Sequence, residues 1–524
     1  MSEGIQVAGC VAAALAVSGA LLASDRRLRA AGLVAAIAVA GALLIGEAWD
    51  ELEPIRDRPA ALALGLAALG GVVVALALAI RHRPLLLPLL LVGALPFRVP
   101  IEAGGEEANL LVPLYVVIGA GVLASSLLAL REGGRRDGAE PRALLWALGV
   151  AVVLYAAQAS YSDDVGFATR NVGFFLVPFA AMFALLADVS WTGRALGLSF
   201  VILAAESVLF ALVGVGQQVA GEIFWNPALE RSNEFHFYFR ANSLFWDPNI
   251  YGRYLALAAV LALALVMWTR DARRLAALAL MLAALLAGLV AALSQTSFLA
   301  VLIGAAVLCG LRWSAGWAAV LTPVALAAVV AAAFVGGTSD AENAASEVSS
   351  GRTTLVEGGL KLFEREPIIG HGSASFSQAF AEQEDIGPGK TTVSHNEPVT
   401  VAAEQGIVGL LAYAALLAAS AWTLLSGIRR IAPGLGAPAE AIGDPWSGGA
   451  AARGLARVAL AGAFTALMVH TIGYGAFLSD PLTWALLAIG GSLSAWAART
   501  VNDDDDVAAP LTRGPSKQPP ASRT

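Results

Sequence analysis

Long apolar runs alternate with short polar connections along the chain. Runs near residues 5–23, 28–46, 60–80, 109–130, 142–160, 168–188, 195–216, 249–268, 274–293, 296–311, 315–335, 399–426, 456–475 and 481–498 fit a helical crossing of a bilayer, which takes roughly 17–25 residues. A further run, 84–101, is short and interrupted by Pro88, Pro96 and Pro100. It is read as a span, because a re-entrant segment there would invert the three spans before it. The runs are continuously apolar and rich in Ala and Leu, which excludes the alternating strands of a membrane barrel. The pattern predicts an all-α integral membrane protein of about 14–15 transmembrane helices. A long extracytoplasmic loop precedes the last three spans.

Charge then orients the spans. With segment 336–397 outside, about 22 of the 33 lysines and arginines fall on the cytoplasmic side, among them Arg26, Arg27, Arg29, Arg81, Arg131, Arg270 and Arg429. This asymmetry is what the positive-inside rule requires. The N-terminus is then outside and the C-terminus inside. Met1-Ser2-Glu3-Gly4 has no Lys or Arg, so the first run reads as an uncleaved span and not as a signal peptide. Only 14% of the residues are charged and 58% are hydrophobic, against about a quarter charged in soluble domains. That excludes a soluble globule, a mainly disordered chain and a basic nucleic-acid binder. Cys10 and Cys309 lie in apolar runs, so there is no disulfide framework or cysteine zinc site. The tail 499–524, with Asp503–Asp506, reads as disordered and cytoplasmic.

Two outer segments are far longer than the rest, 217–248 and 336–397. The first holds Phe224, Trp225, Phe235, Phe239, Phe245 and Trp246. These aromatics suit an interfacial belt or a surface for sugar rings or lipid, with Arg240, Asn242, Asp247 and Asn249 as its polar groups. Arg253 follows about one turn into the next span, where a charge is costly unless it faces a polar cavity and an anion. In the second segment, Gly351-Arg352 opens an amphipathic helix with Leu355, Val356, Leu360 and Phe363 on one side. Pro367 stops it, and His371 reads as a turn position between Gly370 and Gly372. Asn396 is an N-cap candidate, with Pro398 in the first turn. His395 then lies at a helix mouth suited to an anion, where it serves either as a general base or as a loop brace. Glu206, Glu404 and His470 are ionisable groups inside spans, which default to a functional hypothesis. A structural pairing of Glu206 with Arg253 or Arg170 is the alternative. No Walker A loop, GxSxG elbow, HExxH or metal-spaced carboxylate pair is present.

Four stretches together resemble the O-antigen ligase and O-antigen polymerase superfamily. They are Phe245-Trp246-Asp247-Pro248-Asn249, Leu293-Ser294-Gln295-Thr296-Ser297, Gly351-Arg352 through Gly370-His371-Gly372, and His395-Asn396 with Glu404-Gln405-Gly406. Their order and spacing cover roughly residues 160–495, leaving 1–160 as additional N-terminal transmembrane helices. The resemblance implies a GT-C-like fold in a bacterial cytoplasmic (inner) membrane, with the site facing the periplasm or cell exterior. It implies transfer of a glycan from an undecaprenyl pyrophosphate carrier to a glycan or lipid acceptor hydroxyl, without metal or cofactor. Arg352 and His395 take the places of the family's loop arginine and histidine, with Arg253 and Arg240 as further cations. Asn249, Gln295, Asn396 and Glu404 are the remaining candidate substrate contacts. Gln295 stands where family members often have Arg, so it can donate to a phosphate oxygen but brings no charge.

The rival function is a multi-span transporter or flippase for lipid-linked oligosaccharide, using Glu206, Glu404 and His470. Transporters place broken helices and sites at the midplane, whereas this chain concentrates its polar character in two outer loops.

Overall fold

Among the described residues, thirteen helices are long and apolar enough to cross a membrane. The computed structural model describes residues 1–49, 53–103, 106–135, 141–235, 238–335, 352–385 and 394–507. The protein is an all-α polytopic membrane protein apart from one small hairpin. Polar residues at the heads of the apolar runs set where helices begin. Asp25 accepts from the Arg27 and Leu28 amides, Thr192 from Ala195, Asp271 from Arg274 and Asn396 from Val399, each satisfying amides that no helical carbonyl reaches. Helix Ala315–Val335 adds a further apolar helix, of which Ala315–Val324 counts as a shorter apolar stretch.

The run 84–101 differs from its expected form. It is not a full span but a nine-residue helix, Leu86–Ala94, followed by the antiparallel strands Val99–Ala103 and Glu106–Leu110. Nine residues cover only about 14 Å. Pro96 and Pro100 lack amide donors and disfavour helix in the residues before them, so the helix ends before they arrive. The chain still changes face here. Arg26 meets Glu132 at 3.4 Å and Arg27 donates to the Ala129 and Leu130 carbonyls, which places the end of helix Val112–Glu132 beside the start of helix Arg26–Glu47. Arg81 and Leu85 line the same cavity as Arg26 and Glu132. The segment between therefore runs to the opposite end. On the way Gly93 passes Glu206 midway along helix Gly193–Ala220, and Phe97 packs edge-on to Phe210 at 5.8 Å. The charge pattern chose the right path, but not its secondary structure.

Helices Val177–Ala187, Pro248–Trp268 and Gly449–Gly473 form the centre, and most of their residues are buried. Helix Pro59–His82 is apolar all round yet largely exposed, as befits a helix facing lipid. The last helix runs from Pro481 to Val507, beyond Arg499 where the tail was expected to begin. The Ala-rich end of the span continues the helix at little cost in propensity. Residues 508–524 lie outside the described part.

The helix directions fix which connections share a face. Gln378→Cys and Glu440→Cys, each in a background lacking Cys10 and Cys309, are expected to report opposite faces. An impermeant thiol reagent added to intact cells should label position 378 and spare 440. Labelling of 440 alone would invert the orientation.

Candidate active site

The site end is built around the head of helix Pro248–Trp268. Asp247 caps that helix by accepting from the Asn249 amide at 2.6 Å, and Pro248 fills a position whose amide would be unused. On the next turn lies Arg253, 1% exposed. The anion that meets it is Asp480, at 2.6 Å. Its guanidinium also donates to His470 Nδ1 at 3.1 Å and to the carbonyls of Ala476 at 3.1 Å and Tyr474 at 2.7 Å. Asp480 in turn caps the last helix through Leu482. A buried ion pair is tolerable when its remaining donors are hydrogen-bonded as these are. The cavity anion expected opposite Arg253 is thus a side chain of this protein.

From His470 a chain of hydrogen bonds leads outward. Because Arg253 donates to Nδ1, His470 carries its proton on Nε2 and donates to Ser297 Oγ at 3.1 Å. Ser297 donates to Ser294 at 2.8 Å, and Ser294 to Asn249 Oδ1 at 3.0 Å. Arg240 closes the chain, donating to the same Asn249 oxygen at 3.3 Å and to the Ala292 carbonyl at 3.3 Å. Asn233 fixes the backbone of Arg240 in both directions. Glycine makes this closeness possible. A Cβ on Gly252 would come 2.4 Å from Ser297 Oγ, and one on Gly473 would come 2.0 Å from Thr296.

His395 stands above this network. Its φ of 58° places a non-glycine residue in the left-handed region. Several bonds hold it there. The Gly475 amide donates to its carbonyl at 3.2 Å. Asn396 caps Val399 and donates to the Ile472 carbonyl at 2.9 Å, while Glu397 accepts from the Ala476 amide at 2.6 Å. The His395 ring lies 5.8 Å from that of Tyr474, and Arg253 lies 5.4 Å from the same tyrosine ring. Tyr474 therefore lies beside both a loop histidine and a buried guanidinium. Burial pushes its phenol well above the ordinary tyrosine range, with Asp247 reinforcing the shift and Arg253 and Arg98 opposing it.

Glu404 sits elsewhere in the arrangement. Helix Glu397–Leu425 is broken at Gly406, with φ 61°. The freed amides of Ile407 and Val408 donate to Pro367 and Ile368. The loop 367–376 thus lies along the broken helix, and both Glu404 carboxylate oxygens accept its amides, from Ala374 at 3.0 Å and Phe376 at 3.2 Å. His371 lies on this loop, its ring 3.2 Å from the Leu362 carbonyl and 4.0 Å from Asp163. Burial raises the Asp163 carboxyl, and His371 opposes that shift.

Gln295 is the first residue of helix Gln295–Arg312 and is exposed. Arg352 is the first residue of helix Arg352–Arg365, and its side chain lies outside the described residues, as do segments 336–351 and 386–393. The buried face of that helix was misjudged. Leu360 is exposed, and Gly358, Gly359 and Leu362 are buried. The two glycines let Phe380 and Val399 approach closer than any side chain would allow, so small residues select the packed face. Glu206 pairs with neither suggested arginine. Tyr254 donates to it at 2.8 Å, and Arg170 meets Glu47. The loop aromatics divide: Phe245 packs against Phe210, Tyr251 and Tyr254, while Phe224 and Phe235 are exposed.

The sequence gives no role to Ser294 and Ser297 beyond their place in a motif, does not point to Tyr474 or Asp480, and leaves His470 without a definite place. One signal was available. Asp480-Pro481 repeats the Asp247-Pro248 pair at the head of a span, and an intramembrane arginine needs such a carboxylate.

Residues 280–414 match a family model described as O-antigen ligase. No curated protein matches the chain. The matched stretch contains Ser294, Gln295, Ser297, Arg352, His395, Asn396 and Glu404, whereas Arg240, Asn249, Arg253 and His470 lie outside it and are brought to it by folding. Across residues 280–414 the chain is thus similar to the O-antigen ligase family.

Proposed function

We propose that the protein is a membrane glycosyltransferase that moves a glycan from an undecaprenyl pyrophosphate carrier to an acceptor hydroxyl. The reaction occurs on the outer face of a bacterial cytoplasmic membrane. The observation that carries this reading is His395, held in a left-handed conformation at the mouth of helix Glu397–Leu425 and above Tyr474 and Arg253. In it, His395 takes the proton of the acceptor hydroxyl. The oxygen attacks the anomeric carbon, the bond from that carbon to the phosphate oxygen breaks, and the bond's electrons leave with the pyrophosphate. The anomeric configuration inverts. Charge on the leaving pyrophosphate is met by arginines, which grip phosphate at two points and require no metal. Arg352 and Arg240 are assigned that contact, with Gln295 and Asn249 as neutral neighbours. Arg253 has its donors directed at Asp480, His470 and two carbonyls, so it acts as the support that positions Tyr474 beneath the histidine.

His395→Ala and Arg352→Ala are each expected to lower transfer by roughly two to three orders of magnitude, with protein level and membrane insertion unchanged. Arg352→Lys should restore only part of the rate, since an ammonium keeps charge but not the planar grip. Transfer assayed with purified protein and an undecaprenyl pyrophosphate donor decides this, and a near-normal rate for His395→Ala would remove the histidine from the mechanism.

Arg253 is expected to behave differently. Removing one partner of a buried pair costs about 3–5 kcal/mol, so Arg253→Ala and Asp480→Ala should each lower the melting temperature and the yield of folded protein. A variant at Arg253 with unchanged melting temperature and a raised KM for donor would make it a substrate contact instead.

A further inference from the structure

The end of the bundle opposite His395 holds a cavity of about 1140 Å³, larger than the ~300–1,000 Å³ of most ligand sites. Arg453 lines it, and lies on the same helix as His470 but about 26 Å away along the axis. The cavity is therefore separate from the proposed transfer site. Its polar side carries four arginines, Arg26, Arg29, Arg81 and Arg453, against two carboxylates, Glu132 and Asp188. Glu132 lies 3.4 Å from Arg26, and Asp188 lies 3.3 Å from Arg29. Among the described residues, neither Arg81 nor Arg453 has a carboxylate partner. Arg453 lies over the Trp496 ring at 3.8 Å, and its Nε is buried without a hydrogen-bond partner among the described residues. The lining also includes the apolar side chains of Leu85 and Leu128.

We propose that this cavity binds an anionic phospholipid, its phosphodiester on Arg81 and Arg453 and its acyl chains along Leu85 and Leu128. A neutral lipid would leave the excess cationic charge uncompensated, and a free phosphate would leave the apolar side chains against water. An anionic lipid answers both. Basic pockets between helices at the positively charged membrane face are where such headgroups bind, and a tryptophan at that depth fits the interface.

The test is native mass spectrometry of the full chain extracted from vesicles of equimolar phosphatidylglycerol and phosphatidylcholine. The unaltered protein should retain phosphatidylglycerol preferentially. Arg81→Ala and Arg453→Ala should each lower that retention roughly fivefold. Leu128→Trp, which fills the apolar side and keeps every arginine, should lower it as well, so that the result does not depend on how well the arginine variants fold. Absence of a preference in the unaltered protein, or retention unchanged in all three variants, would overturn the proposal. Displacement of the lipid by millimolar inorganic phosphate would assign the cations to a free anion and overturn it equally.

Discussion

The arrangement of the site end depends on one buried guanidinium. Arg253 lies a turn inside an otherwise apolar helix, at a depth where an unpaired charge is not tolerated. Satisfying it requires Asp480 from the head of the last helix, His470 from the helix before, and the carbonyls of Tyr474 and Ala476 between them. The loop 474–480 therefore has little freedom. That loop in turn donates to His395 and Glu397, while Asn396 donates to Ile472 at the end of the helix before it. Charge burial in one helix is thus converted, through backbone hydrogen bonds, into the placement of a strained histidine on another.

The same logic explains the irregular backbone nearby. Non-helical backbone near the membrane is tolerated only where protein satisfies its polar groups. Gly406 breaks a helix, and the loop 367–376 supplies carbonyls to the freed amides while Glu404 accepts amides in return. Each device pairs a glycine or a left-handed residue with a polar side chain held in place. The relay from Arg253 through His470, Ser297 and Ser294 ends on Asn249 Oδ1, where Arg240 donates from the other side, and networks of this kind rigidify what they join. It ties the stretch 280–414, which matches the O-antigen ligase model, to groups on either side of it.

Much of this was legible in the sequence, and the limits have physical causes. Apolar run length gave the spans, because the bilayer imposes a length on helices. The run at 84–101 carried its prolines openly, yet its charge context and its secondary structure gave separate answers, and only the first was read correctly. Leu360 was placed on the wrong face because packing of helix Arg352–Arg365 follows its two glycines and not its largest side chains. Candidate residues Arg240, Asn249, Arg253, His395 and Asn396 were visible as polar groups at span heads, and the structure gathers them at one end. Their partners were not visible. Which carboxylate answers Arg253, and that two serines connect Asn249 to His470, are facts of helix packing that no local pattern encodes.

The central claim is that the chemistry belongs to the loop end of the bundle, with His395 over Tyr474 and Arg253. Cryo-electron microscopy of the full chain bound to undecaprenyl pyrophosphate tests it most directly. The account expects the diphosphate at the heads of helices Pro248–Trp268 and Glu397–Leu425, within hydrogen-bond reach of Arg240 or Arg352 and about one sugar ring from His395. A diphosphate bound at mid-depth beside Glu206 and Tyr254, with the His395 end empty, would contradict it and would point to a carrier instead of a transferase.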